Sequence, residues 1–170
     1  VPVLILDGGL DGGPDGNEVL VDSAAILDHL DEAAGPERAL VPRSGAARRD
    51  ALRTIVTATG AAELTMMLSF ETLLRPAEKH YAPMIARRRT QIATALAALD
   101  RAVRPEWLAA GRPAQTAITT VCAIGYMRLR VPDLAPQGRY PALDGLCGQA
   151  EALPVFHAWR PTDETLPAAV

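Results

Sequence analysis

The residues best placed for chemistry are Asp22 and Ser23, which stand where the apolar run Val19-Leu20-Val21 gives way to a helical pattern. Asp and Ser are favoured there because their side-chain oxygens accept backbone N–H groups that a first helical turn leaves unpaired. The same helix start can hold a carboxylate, through its free N–H groups, the positive end of the dipole and the Ser hydroxyl. Capping and anion binding use the same groups, so the pair alone does not choose between them. Other reactive side chains are scattered. Cys122 and Cys147 form no C-x-x-C or metal-type spacing and read as two buried thiols of a reducing cytosol. His29, His80 and His157 are isolated from one another and from both cysteines. The Gly/Asp-rich stretch from Asp7 to Asn17 suggests a calcium loop starting at Asp11, with Asp15, Gly16 and Asp22 at ligand-loop spacing. Gly13, Pro14 and the lack of a preceding helix break that pattern, so it reads as a mobile hairpin turn and no metal is predicted.

Two zones position these residues, and they meet near Gly35. Val1 to Asp7 is an apolar β-type run with Pro2 near its start, and Val19 to Val21 is its partner across the turn. A helix follows from Ser23 to about Ala34, with Ala25, Ile26, Leu27 and Leu30 as its apolar residues. Gly35-Pro36 ends it, since Gly suits the left-handed cap and Pro cannot continue a helix. Pro36 to Ser44 reads as a linker.

Beyond it the periodicity is helical. A long helix is predicted over Ala46 to Leu74, its stripe being Leu52, Ile55, Val56, Thr59, Glu63, Met66, Met67, Phe70, Leu73 and Leu74. Pro76 ends it, and Met66-Met67 is expected in the core. A second helix, about Pro83 to Arg104, carries Ile85, Ile92, Leu96, Leu99 and Val103 and should pack antiparallel on the first. A third, near Gln115 to Leu129, is apolar nearly all round and is expected to be central and buried. Tyr140 to Ala152 forms a fourth, and Pro154 to Trp159 a terminal turn. The expected class is therefore mainly α: a hairpin plus helix over 1–35, an all-α domain over 43–160 and a loose tail over 161–170.

Hydrophobic residues make up 49% of the 170 and aromatics only 4%, so the core must rest on Ala, Leu, Val, Ile and Met. Ala-rich content of that kind suits closely packed helices. A net charge of −3 argues against nucleic acid or an anionic membrane as partner. Arg48-Arg49 and Arg87-Arg88-Arg89 read as solvated helix faces. No apolar stretch approaches the roughly 18 residues of a membrane span, and no basic-then-apolar leader is present, so a cytoplasmic protein is predicted.

The order Val-Pro, strand, turn, strand, Asp-Ser, helix resembles the second half of the thioredoxin-like domain of glutathione transferases. Further segments are similar to bacterial members: Phe70 to Pro76, Glu78-Lys79, Ile85 to Arg89, Tyr140 to Leu143 and Ala150 to Pro154. The resemblance implies a partial thioredoxin-like unit followed by a glutathione transferase C-terminal-type bundle. It implies that Val1, before a cis Pro2, offers its backbone to the cysteinyl part of glutathione. Ser23 would hold the γ-glutamyl carboxylate and Asp22 would assist with the amine. The catalytic Tyr, Ser or Cys would precede Val1, so no catalytic residue is assigned and the chain is expected to be truncated. Glutathione is the implied co-substrate, with no metal. A small hydrophobic electrophile is implied as second substrate, between the domains against the long helix, and a homodimer as the assembly. The alternative is a non-catalytic helical binding or scaffold module that inherited the fold.

Two departures stand out. The turn from Asp7 to Asn17 is longer than the family's tight turn. The Ser/Thr-x-x-Asp capping box of the family's central helix falls on Ala114 and Ala117, leaving Thr116 or Thr119 as substitute caps.

Overall fold

The computed structural model describes residues 2–7 and 17–158; the long turn, Val1 and the tail lie outside them. The chain divides into two compact units, Val1–Arg43 and Ser44–Val170.

In the first unit, β1 (Val3–Asp7) pairs antiparallel with β2 (Asn17–Val21), in a register that sets Val3 opposite Val21 and Ile5 opposite Val19. Alternation along the strands makes both faces apolar. Leu4, Leu6 and Leu20 are half-buried, whereas Val3, Ile5, Val19 and Val21 on the other face are each more than half exposed. Helix α1 (Ser23–Ala33) lies against the hairpin, yet none of its residues is fully buried. It stops as expected. Gly35 takes φ +80°, the left-handed conformation that glycine adopts without a Cβ penalty, and donates its N–H to the Glu32 carbonyl. The Asp31 carboxylate then holds the segment after the helix, accepting the N–H groups of Leu40 and Val41.

The second unit is a helical bundle: α2 (Gly45–Ser69), α3 (Ala82–Ala102), α4 (Gln115–Arg130), α5 (Pro141–Glu151) and α6 (Pro154–His157). A π-helical turn, Phe70–Leu74, ends α2, and a 3-10 segment, Pro105–Gly111, precedes α4. Leu68, Ile92, Leu96, Leu99, Ile124, Met127 and Leu143 fill the centre.

The buried face of α2 is not the one the large apolar residues predict. Ala51, Thr54, Ala58, Ala61, Thr65 and Leu68 are buried, at alternating three- and four-residue steps. Val56, Met66, Met67, Phe70, Leu73 and Leu74 are exposed, Val56 by 67%. The reason is helix approach. α2 and α4 form the most extensive helix pair, and small side chains on α2 let the two backbones come close. The hydroxyls on the buried side of α2 are satisfied locally: Thr54, Thr65 and Ser69 donate to the carbonyls of Asp50, Ala61 and Thr65 at 3.0, 2.9 and 2.9 Å.

Three other expectations are corrected. Helix α4 is buried at Gln115 and Thr116 in its first turn and then along one face, Ala117, Thr120, Ala123, Ile124 and Met127, while Leu129 on its other side is 40% exposed. Cys122 shares that open side and is exposed, whereas Cys147 is buried. The N-cap of α4 is Ala114, with no side-chain cap hydrogen bond, because Thr116 is buried inside the helix and Thr119 accepts from the Gln115 amide instead. Burial pushes the Cys147 thiol up to about 11, so almost none of it is thiolate at neutral pH. With a disulfide-exchange reagent at pH 7.5, Cys122 is expected to react in the native protein and Cys147 only after denaturation. Equal rates for both thiols would contradict the burial of Cys147.

Candidate functional site

The antiparallel ladder carries Pro2 to the start of α1. One residue beyond the Val3–Val21 pair, the Asp22 N–H donates to the Pro2 carbonyl at 3.1 Å. Proline has no N–H to return, so the strand pairing ends there. Asp22 is the N-cap of α1: its Oδ1 accepts the Ala24 N–H at 2.8 Å, and its carbonyl accepts the first helical bond from Ile26 at 3.1 Å. Oδ2 remains open. The Ser23 hydroxyl and the N–H groups of Ser23 and Ala25 have no partner among the described residues, and Asp22 and Ser23 are both exposed.

Asp22 also carries a feature its residue type does not announce. Its φ of 77° and ψ of 139° lie in a region populated almost only by glycine, whereas an N-cap normally sits in the extended region. Holding a non-glycine residue there costs about 1–3 kcal/mol, and such strain clusters at ligand sites. The cap bond to Ala24 and the ladder bond to Pro2 hold it on both sides. Asp is common in turns and caps alike, so only the backbone reveals the strain.

Pro2, Asp22 and Ser23 are thus brought together, while Val1 lies outside the described residues, as does the peptide bond expected to be cis. The arrangement can take a zwitterionic ligand end, with a carboxylate toward the free N–H groups and hydroxyl, and an ammonium toward Oδ2. Residues 1–43 contain no Tyr or Cys and no Ser besides Ser23. None of the three site residues is suited to take a thiol proton.

Elsewhere the chemistry-bearing residues serve structure. Glu71, in the π-helical turn, is buried; its Oε1 accepts the Tyr81 N–H at 3.0 Å and its Oε2 pairs with Arg75 Nε at 3.0 Å. The Tyr81 N–H bond holds its carboxyl below the usual range, opposed by burial and aided by Arg75, Arg88 and His80. His80 is tied to the Arg75 carbonyl by Nε2 at 2.9 Å. The only advance sign of this knot was the four-residue spacing of Glu71 and Arg75. Asp100 is a second residue the sequence reading passed over, accepting two N–H groups from the start of α5. Among the described residues, no group of three or more His, Cys, Asp or Glu is placed to hold a metal ion, and no helix is long and apolar enough to cross a membrane.

A hairpin and helix of thioredoxin type, with Pro2 at the entry of its first strand and an Asp-Ser helix start after its second, and an all-α bundle after it define a glutathione transferase-like fold. Solved structures agree. A glutathione transferase family member from Pseudomonas fluorescens Pf-5 with bound S-(propanoic acid)-glutathione is 32% identical, with a TM-score of 0.80 over 95% of this chain and 77% of that one. A second Pseudomonas fluorescens Pf-5 structure, with bound glutathione, is 33% identical, with a TM-score of 0.77 over 87% of this chain and 71% of that one. A glutathione S-transferase from Methylobacterium radiotolerans in complex with glutathione sulfonate is 27% identical, with a TM-score of 0.78 over 100% of this chain and 76% of that one. No family model and no curated protein matches the chain. The chain belongs to the glutathione transferase family.

Proposed function

We propose that the protein binds glutathione through the Pro2–Asp22–Ser23 corner and conjugates it to small hydrophobic electrophiles. The observation that carries this is the Asp22 N–H bond to the Pro2 carbonyl, which sets the strand start one hydrogen bond from the open helix start. Ser23 holds the γ-glutamyl carboxylate with its hydroxyl and N–H. Asp22, whose Oδ1 is committed to the cap, turns Oδ2 to the γ-glutamyl ammonium. Val1 pairs its backbone with the cysteinyl residue as a short strand addition. The relatives that hold glutathione or its derivatives support glutathione as the ligand.

In the reaction the glutathione thiol gives its proton to solvent, the thiolate sulfur forms a C–S bond to the electrophilic carbon, and the bond from that carbon to the leaving group breaks, its electron pair going with the leaving group. The site residues orient the peptide; the group that stabilises the thiolate is a different one. We further place the protein in the cytoplasm, where thiols are kept reduced, and as a two-fold dimer, the commonest closed assembly.

Calorimetric titration with glutathione tests this. Ser23→Ala is expected to weaken binding roughly tenfold or more, because one charge-assisted hydrogen bond of about 1.5–3 kcal/mol is lost. S-methylglutathione should bind about as well as glutathione, since the corner reads the peptide ends and backbone. A protein that binds neither ligand, or ignores Ser23→Ala, is instead a helical binding module on the same fold.

A further inference from the structure

The second unit carries a groove that the glutathione site does not use. It lies between residues 53–57 of α2 and the last turns of α3 and has a volume of about 190 Å³. Residue size explains it. Thr54 and Thr57 on α2 face Ala98, Leu99 and Ala102 on α3, and side chains this small do not fill the space between two packed helices. The floor is finished rather than hungry for water: Leu99 and Thr54 are buried, and both threonine hydroxyls already donate to backbone carbonyls of α2.

The rim is cationic. Arg53 stands on one wall and Arg101 on the other. Asp50 engages one edge of the Arg53 guanidinium, and Arg101 forms no ion pair among the described residues. Arg53 and Arg101 are the two charged residues lining the groove, in a chain whose net charge is −3. The Asp100 carboxylate is turned to α5. Positive charge is therefore concentrated at the mouth of an apolar slot.

We propose that this groove binds a small organic monoanion with a flat apolar body, such as an aromatic carboxylate. The ring lies along Ala98, Leu99 and Ala102, and the carboxylate sits between the Arg53 and Arg101 guanidiniums, whose planar donor sets match carboxylate geometry. The site is independent of the Asp22–Ser23 corner.

Benzoate is the probe, followed by chemical-shift titration, with benzyl alcohol as its uncharged counterpart. Benzoate is expected to bind with a Kd of about 1–10 mM, as suits so small a ligand. Arg101→Ala should weaken it at least fivefold by removing charge, and Ala98→Leu should do the same by filling the slot. Melting curves show whether each variant folds, and Ala102→Val serves the same purpose should Ala98→Leu not fold. Undetectable benzoate binding, equal binding of benzyl alcohol, or indifference to either the charge or the filling variant overturns the proposal.

Discussion

Asp100→Ala is expected to lower the unfolding free energy by about 3 kcal/mol, more than any other single polar deletion in the bundle. Asp100 lies near the end of α3, and its Oδ1 accepts the N–H groups of Ala142 and Leu143 at 2.9 and 3.0 Å. Those are the second and third residues of α5; the first is Pro141, which has no N–H. The N-cap residue, Tyr140, supplies no side-chain cap. The first turn of α5 is thus capped from another helix. Each hydrogen bond to a charged acceptor contributes about 1.5–3 kcal/mol, and removing the carboxylate strands two partly buried donors. Asp100→Asn keeps an acceptor without the charge and should cost less than half as much. Urea unfolding should show the midpoint falling with an unchanged slope. A loss under about 1 kcal/mol for Asp100→Ala would mean that water replaces the carboxylate and the cap is dispensable.

Ala58→Leu is the second large effect, with an expected loss of about 3 kcal/mol. Ala58 is fully buried on the face of α2 that belongs to the main core with Ala61, Leu68, Ala123 and Ile124. A leucine there must either push α2 away from α4 or adopt a poor rotamer, and both disturb contacts along the seam. Val56→Leu makes the contrast. That side chain is 67% exposed, so enlarging it should change stability by no more than about 0.5 kcal/mol. If Val56→Leu proves the more costly of the two, the assignment of the buried face is wrong.

The same contrast shows which parts of the protein were legible in the residues. Helix boundaries were, because their signals are local. Gly35-Pro36 ends α1 and Asp22 caps it where composition alone places them, and Pro76 follows the π-helical turn that carries the chain from Ser69, the end of α2, to Leu74. The Asp22–Ser23 corner was legible too, since an acceptor side chain at a helix start is a short-range pattern. That corner's partner in space, Pro2, entered through family resemblance rather than through periodicity.

What stayed hidden depends on neighbours distant in sequence. The large apolar stripe on α2 suggested a buried face, but the bundle buries Ala51, Thr54, Ala58, Ala61 and Thr65 instead. Periodicity finds a face that repeats; it does not say how near the partner helix comes, and nearness decides whether Ala or Leu is wanted. Cys122 and Cys147 look alike in composition, yet only Cys147 faces the core. Asp100 could have been any exposed helix acid until α5 set its first N–H groups against it.

By itself, then, the sequence determined the element order, the helix stops and the residue types at the Asp22–Ser23 helix start, because backbone propensity and capping act within a few residues. Tertiary structure alone decided which face of α2 is buried, which thiol is inert, the left-handed backbone of Asp22 and the cap on α5. Each of these is set by a group brought close by packing, and no spacing along the chain encodes that distance.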